Sequence, residues 1–286
     1  MGDARLGETA SAEVFRGNLD KLVNKINEER GIDLGQYRRP YLERRLAARM
    51  RVLELHSYRQ YADRLDQDPG EYDSLMNTLT INVTEFFRDK VVWDSLRVNV
   101  LKPLIAAKRE GRNRTIRIWS AGCATGEEPY SLAMLMLDLL GDDARRFLLS
   151  VTATDLDPRA LETARKGVYD STKLRRIPPG YQVRFVRVLD REHFEIAPHV
   201  RDHVRFSEFN LFDEPPLRVV DLIVCRNVFI YFDRDQQARV LRNFQASLAR
   251  GGYLVLGRSE KLSPDAAAAL EPIDGKERIY RRPARA

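Results

Sequence analysis

The sequence predicts an α/β protein: a small all-helical N-terminal domain, then a doubly wound α/β domain with a small antiparallel β-subdomain inserted in it. Three observations predict this. From about Ser11 to Arg97 the apolar residues recur at helical spacing, with no convincing strand. After Gly111, short β-branched or aromatic runs alternate with helical stretches. Residues 168–208 interrupt that alternation with closely spaced short apolar runs. The expected domains are therefore a disordered 1–10, a helical 11–90 and an α/β 91–286, with the insertion at about 168–208.

In the first domain, Phe15, Leu19, Leu22, Val23 and Ile26 form one helical stripe, starting near Ser11 and stopping at Gly31. Further helices are expected over Tyr41–Leu53, Tyr58–Leu65 and Glu71–Leu79. Asn82 or Thr84 is the expected cap of a helix running through Val92, Trp93 and Leu96. Ile116, Ile118 and Trp119 supply a strand, Gly122 and Gly126 a turn, and Pro129 the first turn of a helix to Leu140. A second strand, Leu149–Thr154, ends at Asp155 and Asp157, and Pro158 opens the next helix. Within 168–208, Val183, Phe185, Val186, Val188, Phe194, Ile196, Val204 and Phe206 suggest several short strands, the last leading into Asn210. Asp221–Val224 reads as a buried strand ending at Cys225-Arg226-Asn227. A helix from Asp235 through Leu248 should stop at Gly251-Gly252, followed by a strand at Tyr253–Leu256. A turn at Asp274-Gly275 and a strand at Arg278–Arg282 close the chain.

A chain of 286 residues with 31% charged and 43% hydrophobic residues has a soluble globular composition. The net charge of +6 permits a polyanionic partner without demanding one. Cys123 and Cys225 lie far apart and in no metal spacing, so neither a zinc site nor a disulfide framework is expected. No signal-peptide apolar region and no membrane-length apolar run occur, so the chain reads as cytosolic. Between Arg38 and Arg59 stand seven arginines (38, 39, 44, 45, 49, 51 and 59) against Glu43 and Glu54. This is either a solvated face or a docking surface; arginine suits carboxylate or phosphate recognition.

Strand, turn, helix, strand and acid is also the order of a nicotinamide-binding unit, whose Gly-x-Gly-x-x-Gly turn lets the backbone approach a pyrophosphate. Here the turn is Ala121-Gly122-Cys123-Ala124-Thr125-Gly126-Glu127-Glu128, with its glycines four apart. Two carboxylates stand where a diphosphate would meet the helix N-terminus. A cationic or zwitterionic ligand fits better, and S-adenosylmethionine has a sulfonium, an amino group and no phosphate. Asp155 at the tip of the second strand is placed for ribose hydroxyls, which both cofactor classes have.

The chain resembles the bacterial chemotaxis receptor methyltransferases, the CheR family. The resemblance lies in Asn82-Val83-Thr84-Glu85-Phe86-Phe87-Arg88, Trp119–Ser131, Ala153-Thr154-Asp155-Leu156-Asp157, Phe209-Asn210-Leu211, Cys225–Asp233 and Gly257-Arg258-Ser259-Glu260. These blocks run in the family's order over nearly the whole chain. The resemblance implies a Rossmann-like methyltransferase domain and methylation of glutamate side chains on chemoreceptors, with S-adenosylmethionine consumed and S-adenosylhomocysteine released. By motif, Asn82, Thr84 and Arg88 would contact cofactor or the reacting carboxylate. Ala121 and Gly122 would line the cofactor turn, the Glu127-Glu128 pair would meet the cofactor's positive end, and Asp155 would bind ribose. Asn210, Leu211, Arg226 and Asn227 would surround the adenosyl and methionyl parts. Tyr231 would lie at the transfer site, with Arg88 as the second catalytic group.

The resemblance also gives the basic helical domain a partner, the glutamate-rich helical bundle of a chemoreceptor, met by Arg38, Arg44, Arg45, Arg49, Arg51 and Arg59. No nucleic acid, no membrane insertion and a monomer are expected. Family members that grip a receptor pentapeptide have a glycine-rich loop in the β-subdomain. Here Val188-Leu189-Asp190-Arg191-Glu192-His193-Phe194 contains no glycine, so the expected enzyme does not need that tether. A nucleic-acid methyltransferase would instead place Asp/Asn-Pro-Pro-Tyr/Phe where this chain has Arg226-Asn227-Val228-Phe229. Against a non-catalytic module that senses S-adenosylmethionine or another nucleotide stand Arg88, Asp155 and Tyr231, all present.

Overall fold

The computed structural model describes residues 19–30, 34–79, 82–111, 113–262 and 267–284. They form two compact units, one of Met1–Ile81 with Tyr231–Asp233 and the other of Asn82–Ile230 with Arg234–Ala286. The expected disordered 1–10, and the helix start at Ser11 and stop at Gly31, lie outside the described residues.

The first unit packs α1 (residues 19–30), α2 (Arg39–Val52), α3 (Tyr58–Gln67) and α4 (Gly70–Leu79). Their apolar stripes meet in one core of Leu19, Leu22, Ile26, Leu42, Leu46, Tyr61, Leu65, Leu75 and neighbours. Ser57 caps α3 in a reciprocal capping box with Gln60. Beneath the arginine-rich α2, Arg49 donates to both oxygens of buried Glu71, and the Tyr61 hydroxyl donates to the same carboxylate at 2.8 Å.

The second unit opens with α5 (Lys90–Leu96), which runs through a π-helical turn into α6 (Lys102–Glu110). The strand–helix alternation follows: β1 (Thr115–Ala121), α7 (Glu127–Leu140), β2 (Leu148–Asp155), α8 (Pro158–Lys166). Next come β3 (Val168–Asp170), α9 (Pro179–Phe185), β4 (Val186–Val188), β5 (His193–Ile196) and α10 (Pro198–Arg201). The chain closes with β6 (Val204–Glu208), β7 (Val220–Cys225), α11 (Arg234–Ser247), β8 (Leu248–Leu256), β9 (Glu271–Asp274) and β10 (Ile279–Arg281). Among the described residues seven strands form one sheet in the order β6-β2-β1-β7-β8-β10-β9, parallel from β6 to β8 and antiparallel beyond. From β1 the chain winds outward to β2 and β6, then returns to β7 on the other flank. The order reverses between β1 and β7, where ligands of doubly wound sheets bind. A separate sheet, β3-β5-β4, is the inserted subdomain.

The structure differs from four sequence expectations. Helix α5 starts at Lys90, not at Asn82 or Thr84, and Asp89 at φ 59° precedes it with no side-chain cap. Val183 and Phe185 are helical, with the buried Phe185 ring packing on Tyr181. Val204 and Phe206 are not in the subdomain; their strand pairs with β2 in the main sheet. Leu248 already pairs with Val220, so α11 ends at Ser247 rather than at the glycines.

Candidate active site

The site is built at the carboxyl ends of β1, β2 and β7. Gly122 and Cys123 donate their N–H groups to Thr154 O at 2.8 and 3.0 Å, folding the turn after β1 across the end of β2. Two glycines there are compulsory. Gly122 has φ 79°, and a Cβ on it would stand 2.5 Å from Val228 Cγ2; Gly126 has φ 95°, with Ala164 Cβ at 2.8 Å. Close backbone approach therefore brings the turn after β1 against the loop after β7 on one side and α8 on the other.

Asp155 lies half-buried under this turn. Its Oδ2 accepts from Ala124 N–H at 2.7 Å and its Oδ1 from Asp157 N–H at 3.0 Å. Burial pushes the carboxyl up, opposed by these backbone donors. Asp157 caps α8 by accepting from Arg159 and Ala160 N–H, and its other oxygen accepts from the Asn82 amide at 2.7 Å. This is where Asn82 goes instead of capping a helix. Phe209 N–H donates to Asp155 O at 3.0 Å, bringing Asn210 and Leu211 to the same strand end.

The two glutamates at the start of α7 separate completely. Glu127 is fully buried, paired with Lys173 and accepting from Thr125 Oγ1 at 2.7 Å. Glu128 points the other way, accepting from Ser120 Oγ at 2.8 Å with Arg226 Nη1 at 3.7 Å. Burial pushes the Glu128 carboxyl up; Arg226, Ser120 and Arg88 act against it. Arg226, buried in the loop after β7, donates to Asp89 Oδ2 at 2.6 Å and to Arg88 O at 3.1 Å. Asn227 beside it adopts φ 62°.

Arg88 itself donates to Val83 O at 2.8 Å. Both neighbouring acids are taken by other cations: Glu85 by Arg176 at 3.0 Å and Asp89 by Arg226. Among the described residues no carboxylate lies within ion-pair distance of Arg88. Thr84 is half-buried in the same segment. Tyr231 belongs to the helical unit, where its ring packs on Tyr41 at 4.8 Å and its carbonyl accepts from Arg38 N–H at 2.9 Å.

Two groups escaped sequence reasoning. Ser120, the last buried hydroxyl of β1, orients Glu128. Glu260 is buried beneath the loop after β7 and accepts from Gly257 N–H at 2.6 Å. Burial pushes its carboxyl up, while backbone N–H groups of Gly257, Asn227, Phe229 and Ile230 pull it down. The Gly257–Glu260 block was its only signal.

Half-buried Asp155 and Glu128 thus face the turn with raised carboxyls, and the two glutamates open the helix where a phosphate would need bare N–H groups. These acids suit a sulfonium and an ammonium. Residues 82–279 match "CheR methyltransferase, SAM binding domain", and residues 17–80 match "CheR methyltransferase, all-alpha domain". The chain belongs to the CheR methyltransferase family. It is 34% identical over 250 residues to the "Chemotaxis protein methyltransferase" of Escherichia coli, covering 85% of this chain and 84% of that one. The protein of that name from Borreliella burgdorferi is 30% identical over 253 residues, covering 87% of this chain and 89% of the relative. A 104.1 kDa protein of Rhodobacter capsulatus is 36% identical over 244 residues, but this chain spans only 25% of it. The CheR-family chain is thus an S-adenosylmethionine-dependent methyltransferase. No helix among its described residues is long and apolar enough to cross a membrane.

Proposed function

We propose that this CheR-family enzyme transfers the methyl group of S-adenosylmethionine to glutamate side chains of chemoreceptors, giving γ-glutamyl methyl esters and S-adenosylhomocysteine. The observation that carries the reading is Arg88. Its charge acts on Glu128, and no carboxylate of the described residues lies within ion-pair distance of it.

Bound S-adenosylmethionine supplies an electrophilic methyl on sulfur. A glutamate side chain, with an ordinary pKa near 4.3, is already an ionised nucleophile at neutral pH and needs no general base. The protein's tasks are to hold, align and dehydrate it, and alignment alone is worth up to roughly 7–11 kcal/mol. Arg88 holds one carboxylate oxygen with its planar fork, and Tyr231 is the second catalytic group that the family motif implies. Asp155 accepts from the ribose hydroxyls, beside Asn210 and Leu211. Glu128, not Glu127, meets the cofactor's positive end, because Lys173 and Thr125 already engage Glu127. Asn82 and Thr84 contact the cofactor or the reacting carboxylate. Ala121 and Gly122 give the cofactor a close backbone wall. Arg226 and Asn227 fix the loop after β7, Arg226 by its bonds to Asp89 and Arg88 O.

The partner is the acidic helical bundle of the receptor, met by exposed arginines of α2 and α3. A pentapeptide tether is not needed. The β4–β5 hairpin is short and closed by Asp190, which accepts from Glu192 and His193 N–H, in support of this.

The test is incubation with methyl-labelled S-adenosylmethionine and receptor fragments lacking the C-terminal pentapeptide. Base-labile label on the receptor is expected. Arg88→Ala should lower kcat by about 10- to 100-fold, the cost of one charge-assisted hydrogen bond. Label that is absent, or sensitive to nuclease, overturns the acceptor; near-normal turnover in both Arg88→Ala and Tyr231→Phe overturns their roles.

A further inference from the structure

Away from this site, on the outer edge of the main sheet, a cavity of about 520 Å³ is lined by Tyr130, Arg165, Pro198, Arg201, Asp202, Val204, Arg205 and Phe206. Three arginines from three elements converge there: Arg165 from the end of α8, Arg201 from the end of α10 and Arg205 from β6. Each is oriented by main-chain carbonyls. Arg165 Nη2 donates to Phe206 O at 3.3 Å, and Arg201 Nη2 to Arg165 O at 3.1 Å. Arg205 Nη1 donates to Asp202 O at 3.0 Å and Val204 O at 3.2 Å. Neutral acceptors fix the guanidinium groups without cancelling their charge. Among the described residues none of the three lies within ion-pair distance of a carboxylate, and Asp202 is the single acid lining the cavity.

We propose that this cavity is a binding site for a small diphosphate-bearing ligand. A guanidinium has five N–H donors, and the carbonyl bonds leave most of them free. Planar forks converging from several directions match the oxygens of phosphate better than a single carboxylate, which one arginine satisfies. The volume is in the range of small-ligand pockets. Half-buried Phe206, edge-on to Tyr130 at 5.5 Å, supplies an apolar wall beside the cations. A diphosphate alone and a nucleoside diphosphate share the anionic chemistry; the aromatic wall separates them.

Calorimetry tests this on the full chain saturated with S-adenosylhomocysteine, so that adenine-containing probes cannot enter the methyltransferase site. Inorganic pyrophosphate and ADP are the probes, in about 0.1 M salt, where screening acts over about 10 Å. Saturable binding of pyrophosphate is expected, weakened about tenfold or more in the double variant Arg165→Ala/Arg205→Ala, as loss of two charge-assisted forks requires. Tighter binding of ADP than of pyrophosphate, reduced by Phe206→Leu, identifies a nucleotide; equal binding identifies the bare diphosphate. Arg201 is left in place because it bonds the α8 C-terminus, and circular dichroism checks that the double variant keeps its fold. The absence of saturable pyrophosphate binding at millimolar concentration, or unchanged affinity in the folded double variant, overturns the proposal.

Discussion

Glu127 and Glu128 are adjacent and chemically identical, yet the fold gives them opposite duties. A residue pair at the first turn of a helix points its side chains about 100° apart, so one faces inward and the other toward the strand ends. Lys173, 46 residues away, neutralises Glu127 in the interior. Among the described residues Glu128 keeps as direct partners only a hydroxyl at 2.8 Å and a cation at 3.7 Å. Glu128→Gln should therefore weaken S-adenosylmethionine binding about tenfold, near the worth of one charge-assisted contact, with little change in melting temperature. Glu127→Gln should do the reverse, leaving Lys173 with a weaker partner and lowering the melting temperature at near-normal affinity. Calorimetry and thermal melts of the two variants decide it, and exchanged phenotypes would refute the assignment. Burial holds the Glu128 carboxyl above its ordinary range, so cofactor affinity should be full above that raised value and fall as pH drops through it.

At the scale of elements, α2, α3 and α4 are held by the ionic cluster beneath α2. Burial pushes the Glu71 carboxyl up, but the two Arg49 bonds and the Tyr61 hydroxyl outweigh it and leave it below its usual value. A depressed folded-state value means stability that is complete above the ordinary carboxylate range and lost as pH falls through the folded value. Glu71→Gln should cost about 3 kcal/mol at neutral pH, the lower end for breaking a buried pair because Arg49 keeps some solvent contact. The gap from wild type should shrink in acid, as denaturant melts across pH would show; a pH-independent gap would contradict the linkage. These helices were legible in sequence because their stripes and the Ser57 cap are local signals. The start of α5 was not, because Asn82 bonds Asp157, 75 residues away, rather than its own helix. The sheet that β6 joins is not legible in sequence for the same reason: Val204 and Phe206 alternate identically whichever partner they pair with. Arg49 likewise reads as surface charge in sequence, because its partner Glu71 lies 22 residues away on α4. In the candidate site, motif order identified the residues, and only geometry could separate Glu127 from Glu128.

For the whole molecule, the net charge of +6 matters less than where uncompensated arginines stand. Of the six proposed for receptor docking, Arg49 is bound to Glu71, Arg38 donates to Phe232 O, and Arg45 lies over Tyr41 at 5.6 Å. Arg44, Arg51 and Arg59 are exposed, and among the described residues no carboxylate lies within ion-pair distance of them. If the helical unit docks on a glutamate-rich bundle, these three should dominate its long-range attraction, with Arg38, Arg45 and Arg49 serving the fold or short-range contact. The triple variant Arg44→Glu/Arg51→Glu/Arg59→Glu should lower kcat/KM for receptor methylation at least about tenfold at low salt, chiefly through association. S-adenosylmethionine affinity should stay unchanged, since none of the three is proposed to contact the cofactor. The deficit should narrow at high salt, because the screening length falls from about 10 Å at 0.1 M to about 3 Å at 1 M. Steady-state methylation of receptor fragments across that salt range is the measurement. Unaltered methylation at low salt would remove the electrostatic basis for docking and leave the arginine face of α2 as a solvated surface.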